Sequence, residues 1–419
     1  MRTRFSTRRA RASSLVLLPL AALLTACPPQ GVNPCLHQVN VDGFGDALNR
    51  YAWSMKVFGP NLYVGTLNTL DTTVAAQEGI PVTNPVSQIG ETQGAEVWRY
   101  DGTTWSNVAI GGFGDVNNEG ARNLEEFQGS LYAGTLNVMT GAEVWKSPDG
   151  VTWSQANSNG FGTVLNSSVR GMVSWRGLLW VGTINQRGGE IWQYDGTTWT
   201  KAASGGIDDS ANDTIADMHV YQDQLFIGTW NDAGAQMYRY DGTTFTRVVG
   251  GPALTTAGFG DTNNTGIFSI VDFNGALYAS TRNFITGFSV WRSLDQGATW
   301  SAVIQNGLGD ARQRYGWRMH VHADQLYLGT FAMGYGGTDA AYQIGGQLFR
   351  TADGTNWVEE VGPLGTLAPP GIGDNLNYGI RTLETFLGDL HIGTAQCFFC
   401  DFPVTGAEVW RRDTATCPG

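Results

Sequence analysis

Short stretches of alternating apolar and polar residues follow one another along most of the chain, separated by glycine-rich turns. One well-defined group covers residues 122–127, 131–135, 142–146 and 152–155, which are rich in β-branched and aromatic residues. Alternation with a period of two predicts β-strands, and no helical period interrupts it. The pattern therefore predicts an all-β protein.

This group of four predicted strands occurs seven times along the chain. Each copy has an apolar pair ending in Gly-Thr, then a Gly-x-Glu-Val-Trp segment, an Asp-Gly turn and a Gly-Phe-Gly-Asp loop, with variations. The threonines of the Gly-Thr pairs are Thr66, Thr135, Thr183, Thr229, Thr281, Thr330 and Thr394. Their usual interval of about 50 residues is typical of propeller blades. We therefore expect residues 36–419 to form a single seven-bladed β-propeller of four-stranded blades.

The two ends of the repeat region complement each other. The last copy stops after Asp413 and lacks a fourth strand, whereas residues 36–41 stand before the first Gly-Phe-Gly-Asp loop as residues 105–110 stand before the second. This arrangement predicts that an N-terminal strand completes blade seven and closes the ring. Closure would remove the exposed sheet edges that favour aggregation.

A secretory signal precedes the repeats. Residues 1–26 combine an arginine-rich start with an apolar run too short to span a membrane. Their end, with Cys27, reads Leu-Thr-Ala-Cys, which resembles the lipobox of bacterial lipoproteins. The resemblance implies a lipidated Cys27, a tether over residues 27–35 and a lipid-anchored protein of the bacterial cell envelope. An ordinary signal peptide is the alternative, and Arg8-Arg9 leaves Sec and twin-arginine export both open.

The charge of the chain limits its partners. Its formal net charge is −12, and removal of the arginine-rich signal would make it more acidic. Such a protein is a poor candidate for nucleic acid, and any membrane contact should rest on the N-terminal lipid alone. We expect a monomer.

The other four cysteines divide into two pairs in an exported, disulfide-permissive protein. Cys35 precedes the first repeat and Cys417 follows the last, so a bond between them would tie the chain ends. Cys397 and Cys400 stand in one insertion, where a local disulfide would stiffen a loop. A redox role or a zinc site at this Cys-x-x-Cys is less favoured, because no βαβ pattern and no second ligand pair accompany it.

The turn between the third and fourth strands carries a family resemblance. In the fifth copy it reads Ser293-Leu-Asp-Gln-Gly-Ala-Thr-Trp300, a full match to the Asp-box, so the chain resembles the sialidase-like Asp-box (BNR-repeat) propellers. In that superfamily the aspartate caps turn amides and the tryptophan packs between blades. The resemblance implies structural roles for Asp101, Asp149, Asp195, Asp241, Asp295 and Asp353. The tryptophans of the third strands are likewise interpreted as core: Trp98, Trp145, Trp192, Trp291 and Trp410.

Function is expected where the copies differ. The loops between strands two and three are long in blade one (67–93), blade six (331–344) and blade seven (395–405), which are neighbours in a closed ring. The innermost strands of the same blades begin with aromatic and arginine residues. Stacking rings and guanidinium forks suit an acidic sugar or an anionic peptide, although inner-strand aromatics are also common packing residues. The candidate ligand site comprises Arg50, Tyr51, Trp53, Arg314, Tyr315, Trp317, Tyr378 and Arg381.

Two other sets of residues carry weaker hypotheses. Aspartates of the Gly-x-Gly-Asp loops could form a calcium ring, but good turn chemistry explains them better, and we expect no cofactor. These residues are Asp46, Asp115, Asp261, Asp310 and Asp374. Inner-strand positions near the channel predict a paired structural network rather than a metal site. They are Lys56, Glu125, His219, His320 and Glu384, while His322 and His391 are interpreted as packing residues.

Three classes of function remain. We expect a surface-anchored, non-catalytic protein that binds a glycan or protein ligand on the face walled by blades six, seven and one. The first alternative is a glycoside hydrolase, in which Arg122, Arg170 and Arg381 would imitate sialidase arginines and Glu384 and Asp374 are weak catalytic candidates. Against it, the Arg-Ile-Pro motif is absent, seven blades replace the sialidase six, and xyloglucanase-type hydrolases pair two propellers. The second alternative is a scaffold for envelope protein assembly.

Overall fold

The computed structural model describes residues 31–69, 92–251, 256–333, 344–397 and 405–417. These residues form twenty-eight β-strands, joined in one hydrogen-bonded sheet, and short 3₁₀ turns. Within the described part of the chain, no helix is long and apolar enough to span a membrane. Residues 1–30 lie outside this part, so the predicted signal segment and Cys27 have no structural counterpart here.

Fourteen strands form a closed antiparallel barrel, built from seven hairpins. We number the repeat units one to seven by these hairpins. They are β2 (Asn49–Phe58) with β3 (Asn61–Asn68), β6 (Gly120–Phe127) with β7 (Ser130–Leu136), β10 (Ser168–Trp175) with β11 (Leu178–Ile184), β14 (Thr214–Tyr221) with β15 (Gln224–Trp230), β18 (Gly266–Phe273) with β19 (Ala276–Arg282), β22 (Gln313–His322) with β23 (Gln325–Ala332), and β26 (Gly379–Phe386) with β27 (Asp389–Ala395).

The other fourteen strands lie outside the barrel, as one pair against the second strand of each hairpin. They are β4 (Val97–Tyr100) with β5 (Trp105–Ala109), β8 (Val144–Ser147) with β9 (Ser154–Gln155), β12 (Ile191–Tyr194) with β13 (Trp199–Ala203), β16 (Met237–Tyr240) with β17 (Phe245–Val249), β20 (Val290–Ser293) with β21 (Ser301–Ile304), β24 (Leu348–Thr351) with β25 (Val358–Val361), and β28 (Val409–Arg412) with β1 (Leu36–Gln38).

The all-β prediction is therefore confirmed, but the predicted ring of seven four-stranded blades is wrong. Neighbouring hairpins are hydrogen-bonded to one another, each through one residue pair, such as Leu67 with Gly120 and Ile184 with Thr214. The inner strands thus belong to one continuous barrel instead of seven separate blades. The repeat predicts how many strands each unit contains, but hydrogen bonds between the backbones of neighbouring units leave no mark in the side-chain pattern.

The prediction that the N-terminal strand closes the ring is corrected in the same way. The barrel is closed by β2 and β27, which pair at Tyr51 and Ala395. The N-terminal strand β1 pairs with β28, on the outside of unit seven. A disulfide joins Cys35 to Cys417 beside this pair, as the sequence predicts. Cys397 is also disulfide-bonded, and its predicted partner Cys400 lies outside the described residues.

The glycine-rich loops form 3₁₀ turns that connect one unit to the next. At least three consecutive residues of each turn have positive φ, and they include Gly112 and Phe113, both at 62°. The ring of Phe113 then stacks on Trp145 of the following unit, with centroids 5.1 Å apart. The sequence Gly-Phe-Gly thus places one aromatic ring between units. The turns are Asp42–Gly45, Gly111–Gly114, Asn159–Gly162, Ala257–Gly260, Asn306–Gly309 and Pro370–Gly373.

Most of the repeated aspartates act in turns, as expected. In the Asp-Gly turns, Asp149 accepts the N–H groups of Val151 and Thr152, and these bonds hold its pKa below the usual range. In the 3₁₀ turns, Asp46 accepts the N–H of Leu48, and Asp374 that of Leu376. These contacts give the repeated carboxylates a role in the turns. No group of three or more His, Cys, Asp or Glu suited to metal binding occurs among the described residues.

Candidate functional site

The first strand of each barrel hairpin carries a β-bulge at the same place. In β6, for instance, Ala121 pairs with Thr135 and Asn123 with Gly134, so that Arg122 has no partner in the ladder. The bulge falls beside the Gly-Thr pair in all seven hairpins. A bulge changes the direction of the residue that it leaves unpaired. We call these residues the bulge ring: Trp53, Arg122, Arg170, Ala216, Phe268, Trp317 and Arg381.

All seven residues of the bulge ring line one cavity inside the barrel. The cavity measures about 60 Å³, which is room for about two water molecules at ~30 Å³ each. Its charged lining consists of Arg122, Arg170, Arg318, Arg381 and a single carboxylate, Asp217. The cavity is therefore strongly cationic, in a chain whose net charge is −12.

Three arginines of the bulge ring stack on its aromatic members. The guanidinium carbon lies 4.5 Å from the ring centre of Trp53 for Arg122, 4.4 Å from Phe268 for Arg170 and 5.1 Å from Trp317 for Arg381. Such contacts hold a guanidinium in a fixed plane. This arrangement favours planar anions, such as carboxylates, that accept two parallel N–H groups.

The structure brings the predicted aromatic residues together, although deep in the barrel. One packed cluster contains Tyr51, Trp53, Tyr315, Trp317 and Tyr378, and each is at most 1% exposed. The Tyr51 and Tyr378 hydroxyls are hydrogen-bonded to each other. Of these five side chains, Trp53 and Trp317 line the cavity, whereas the tyrosines pack behind them.

The three predicted arginines have different environments. Arg381 is partly exposed and lines the cavity. Arg314 is buried, and its guanidinium donates to the backbone carbonyls of Met333 and Phe284, which links two loops. Arg50 is 6% exposed, and burial lowers its pKa to about 10 although Tyr378 and Asp46 act to raise it. Among the predicted arginines, Arg381 is thus the one positioned at the cavity.

A second, polar cavity of about 120 Å³ follows along the channel. Lys56 and Glu125 form an ion pair of 2.7 Å in its wall, next to His219 and Glu384. The predicted network of charged inner-strand residues is therefore present: His219 also pairs with Asp272 at 2.8 Å, and His320 bonds to Thr385 at 2.9 Å. Burial raises the pKa of Glu384, and Lys56 and Arg318 act against this shift.

The two weak catalytic candidates are separated by the fold. Glu384 lines the polar cavity, whereas Asp374 caps a 3₁₀ turn and also accepts a bond of 3.3 Å from Gln396. Asp374 lines neither of these two cavities. Asp217 was not singled out from the sequence, but it lines both, and burial raises its pKa.

Sequence analysis also missed a buried cation at the loop end of unit five. Arg282 follows the threonine of the fifth Gly-Thr pair and is 8% exposed. Its guanidinium carbon lies 3.8 Å from the ring centre of Trp230. The available signal was the position itself, because the residue after the Gly-Thr pair is apolar in the other six units.

The three long loops that suggested a binding sector fall largely on residues 70–91, 334–343 and 398–404, which lie outside the described residues. Whether they wall one sector therefore stays a prediction. The contacts above involve only residues outside these three segments.

No family model matches the chain, and no curated protein matches it. Solved structures do resemble it in fold. An ancestral GH74 enzyme superposes with a TM-score of 0.51 at 13% identity, covering 88% of this chain and 48% of its own. U3-55K gives a TM-score of 0.52 at 8% identity, covering 91% of this chain and 100% of its own. A Trypanosoma rangeli sialidase gives a TM-score of 0.39 at 13% identity, covering 70% of this chain and 53% of its own. This TM-score is too low to support an argument.

These likenesses concern the fold alone. The chain spans about half of the GH74 enzyme, which is a β-propeller, so a propeller-related fold is supported in general terms. Membership of the Asp-box family and the lipoprotein signal stay predictions.

Proposed function

We propose that this protein binds an acidic carbohydrate at the arginine-lined cavity of its barrel. The observation that carries the proposal is the bulge ring, in which Arg122, Arg170 and Arg381 converge on one cavity against aromatic rings. The protein as a whole is acidic, so the cationic cavity does not follow from composition. The fold likeness to a GH74 enzyme motivates the choice of a carbohydrate over an anionic peptide.

The size of the cavity defines the mode of binding. At about 60 Å³ it falls well below the roughly 300–1,000 Å³ of pockets that enclose a whole small molecule. A carboxylate or sulfate group fits this space, while the sugar ring that carries it would remain at the mouth. The ligand would therefore be selected by its anionic substituent and only loosely by the rest of the sugar. We further propose that Cys27 anchors the protein to the cell envelope through its lipid.

Binding to acidic and neutral glycans tests this function. The purified protein is titrated with galacturonic acid oligomers and with neutral galactose oligomers, and we expect affinity for the acidic series alone. Arg122→Gln and Arg381→Gln should each weaken binding about tenfold, which corresponds to about 1.4 kcal/mol. Arg176→Gln is the matched control. Arg176 lies on the exposed hairpin turn of unit three and pairs with Asp223 of unit four. Equal affinity for both series would overturn the proposal.

Glycoside hydrolysis is a second candidate because of one observation. Glu384 lines the polar cavity, and burial raises its pKa, which is the direction that a general acid requires. This function predicts release of reducing sugar from an acidic polymer and its loss in Glu384→Gln. If wild type and Glu384→Gln both bind the polymer and neither releases reducing sugar, hydrolysis is excluded and non-catalytic binding remains.

A further inference from the structure

The residue that follows the Gly-Thr pair links each unit to the next, and in one unit it is charged. At this position the backbone pairs with the following hairpin. The side chains are apolar in six units and cationic in unit five: Leu67, Leu136, Ile184, Trp230, Arg282, Phe331 and Ala395. A junction between packed hairpins does not require a charge, so Arg282 calls for a separate explanation.

The Arg282 guanidinium is held between aromatic rings. Its carbon lies 3.8 Å from the ring centre of Trp230 and 5.1 Å from that of Phe284. The Nε and Nη1 atoms are buried and have no hydrogen-bond partner among the residues that the structure describes. Burying these two donors without acceptors is costly, and an anion that accepted one of these N–H groups would offset part of the cost.

The surroundings of Arg282 add groups that suit a sugar. Arg170 of the bulge ring lies 5.9 Å from the same Trp230 ring, so two guanidinium groups flank one indole. The Trp230 Nε1 donates a hydrogen bond of 3.1 Å to Asp232, and Asp232 is exposed. Asp213 is half-buried; burial raises its pKa, and Arg282 and Arg170 act to lower it. Two cations and two carboxylates together offer donors for an anionic group and acceptors for hydroxyl groups.

We propose that Arg282, with Trp230, forms a second anion subsite on units four and five, and that the ligand is an acidic oligosaccharide with at least two anionic groups. This inference rests on the proposed function. Arg122 and Arg381 belong to units two and seven, which are three and two positions from unit five around the ring, so we expect separate anionic groups to reach the two sets. Arg170, in unit three, lies between them.

Calorimetric titration with two probes tests the inference on the full chain. Galacturonic acid carries one carboxylate, and its linear trimer carries three. We expect the trimer to bind wild type at least tenfold more tightly than the monomer. Arg282→Gln should lower the trimer affinity about tenfold and leave the monomer affinity within a factor of two. The matched control is again Arg176→Gln, which should change neither.

The outcomes separate this inference from the proposed function. Unchanged trimer affinity in Arg282→Gln, together with weakened binding of both probes in Arg122→Gln, would overturn the second subsite and keep the proposed function. If wild type binds neither probe, both the second subsite and the proposed function are overturned.

Two further variants protect the test against a folding defect. Arg282→Met should melt at a higher temperature than wild type, because it removes a buried charge whose Nε and Nη1 have no hydrogen-bond partner and keeps the volume. Arg282→Lys keeps the charge and loses the planar fork, and it should weaken trimer binding even if the neutral variants do not fold. Full trimer affinity in Arg282→Lys would contradict recognition by the fork.

Discussion

The disulfide between the chain ends allows a quantitative prediction of stability. Cys35 and Cys417 are separated by 382 residues, and both are 5% exposed within one apolar cluster. The double variant Cys35→Ala/Cys417→Ala removes the covalent link and introduces no buried polar group. We expect the folded barrel to persist, because β2 and β27 close it independently of the disulfide.

The magnitude follows from the length of the closed loop. Chain-entropy theory gives about 6 kcal/mol for a loop of this length, whereas measured losses are commonly about 2–4 kcal/mol. The β1 and β28 pair holds the ends together in the folded state, so the effect resides in the unfolded chain. With an unfolding entropy of about 2.1 cal/mol/K per residue, a loss of 3 kcal/mol lowers the melting temperature by about 4 °C.

Thermal and guanidinium unfolding, followed by circular dichroism, measures the loss. The control is Cys397→Ala/Cys400→Ala, which leaves the link between the ends intact and should have the smaller effect, since a local loop restricts the unfolded chain less. Amide exchange should accelerate first in β1, which is the outermost strand of unit seven. An unchanged melting temperature in the Cys35→Ala/Cys417→Ala variant would refute the entropic argument.

Three other predictions concern packing and pH. In Gly120→Ala the new Cβ would lie 1.9 Å from the Trp53 ring, so we expect a loss of about 1–3 kcal/mol in urea unfolding; wild-type stability would contradict the contact. Burial lowers the pKa of His391 to about 4, so the folded state should lose stability as pH falls from about 6.5 towards 4, and His391→Phe should reduce that slope. Burial raises the pKa of Glu408 to about 8, so stability should fall as pH rises from about 4.5 to 8. Glu408→Gln should remove this loss, because the variant has no group that titrates there, and Gln236 already holds the equivalent place in unit four. An unchanged dependence of stability on pH would contradict the raised pKa of Glu408.

The sequence predicted the strands well because each strand is short, alternating and bounded by turn residues. Asp149 and its equivalents were correctly assigned to turns, since the Asp-Gly pair restricts the backbone locally. The arrangement of the units relative to one another was not predictable in this way. Pairs such as Leu67 with Gly120 depend on how closely two hairpins approach, and this is set by the whole ring.

The candidate site was predicted in part, for a similar reason. Trp53, Trp317 and Arg381 were predicted to belong to the ligand site, and all three line the cavity. Tyr51 and Tyr378 are close in sequence to these residues but pack behind them, because the bulge changes which side chains face the channel. A bulge depends on backbone pairing, so the sequence pattern alone did not reveal it.

The repeated bulge also explains how a symmetric fold can hold an asymmetric site. Because the bulged residue makes no ladder pair, its identity has little influence on the strand pairing of its unit. The position therefore tolerates tryptophan in units one and six, arginine in units two, three and seven, alanine in unit four and phenylalanine in unit five. Seven such positions face one cavity, and their chemistry can vary while the barrel stays the same. The junction position of Arg282 lacks this freedom, because its backbone is paired and its side chain packs between rings. A charge at a constrained position is therefore the stronger indication of a ligand.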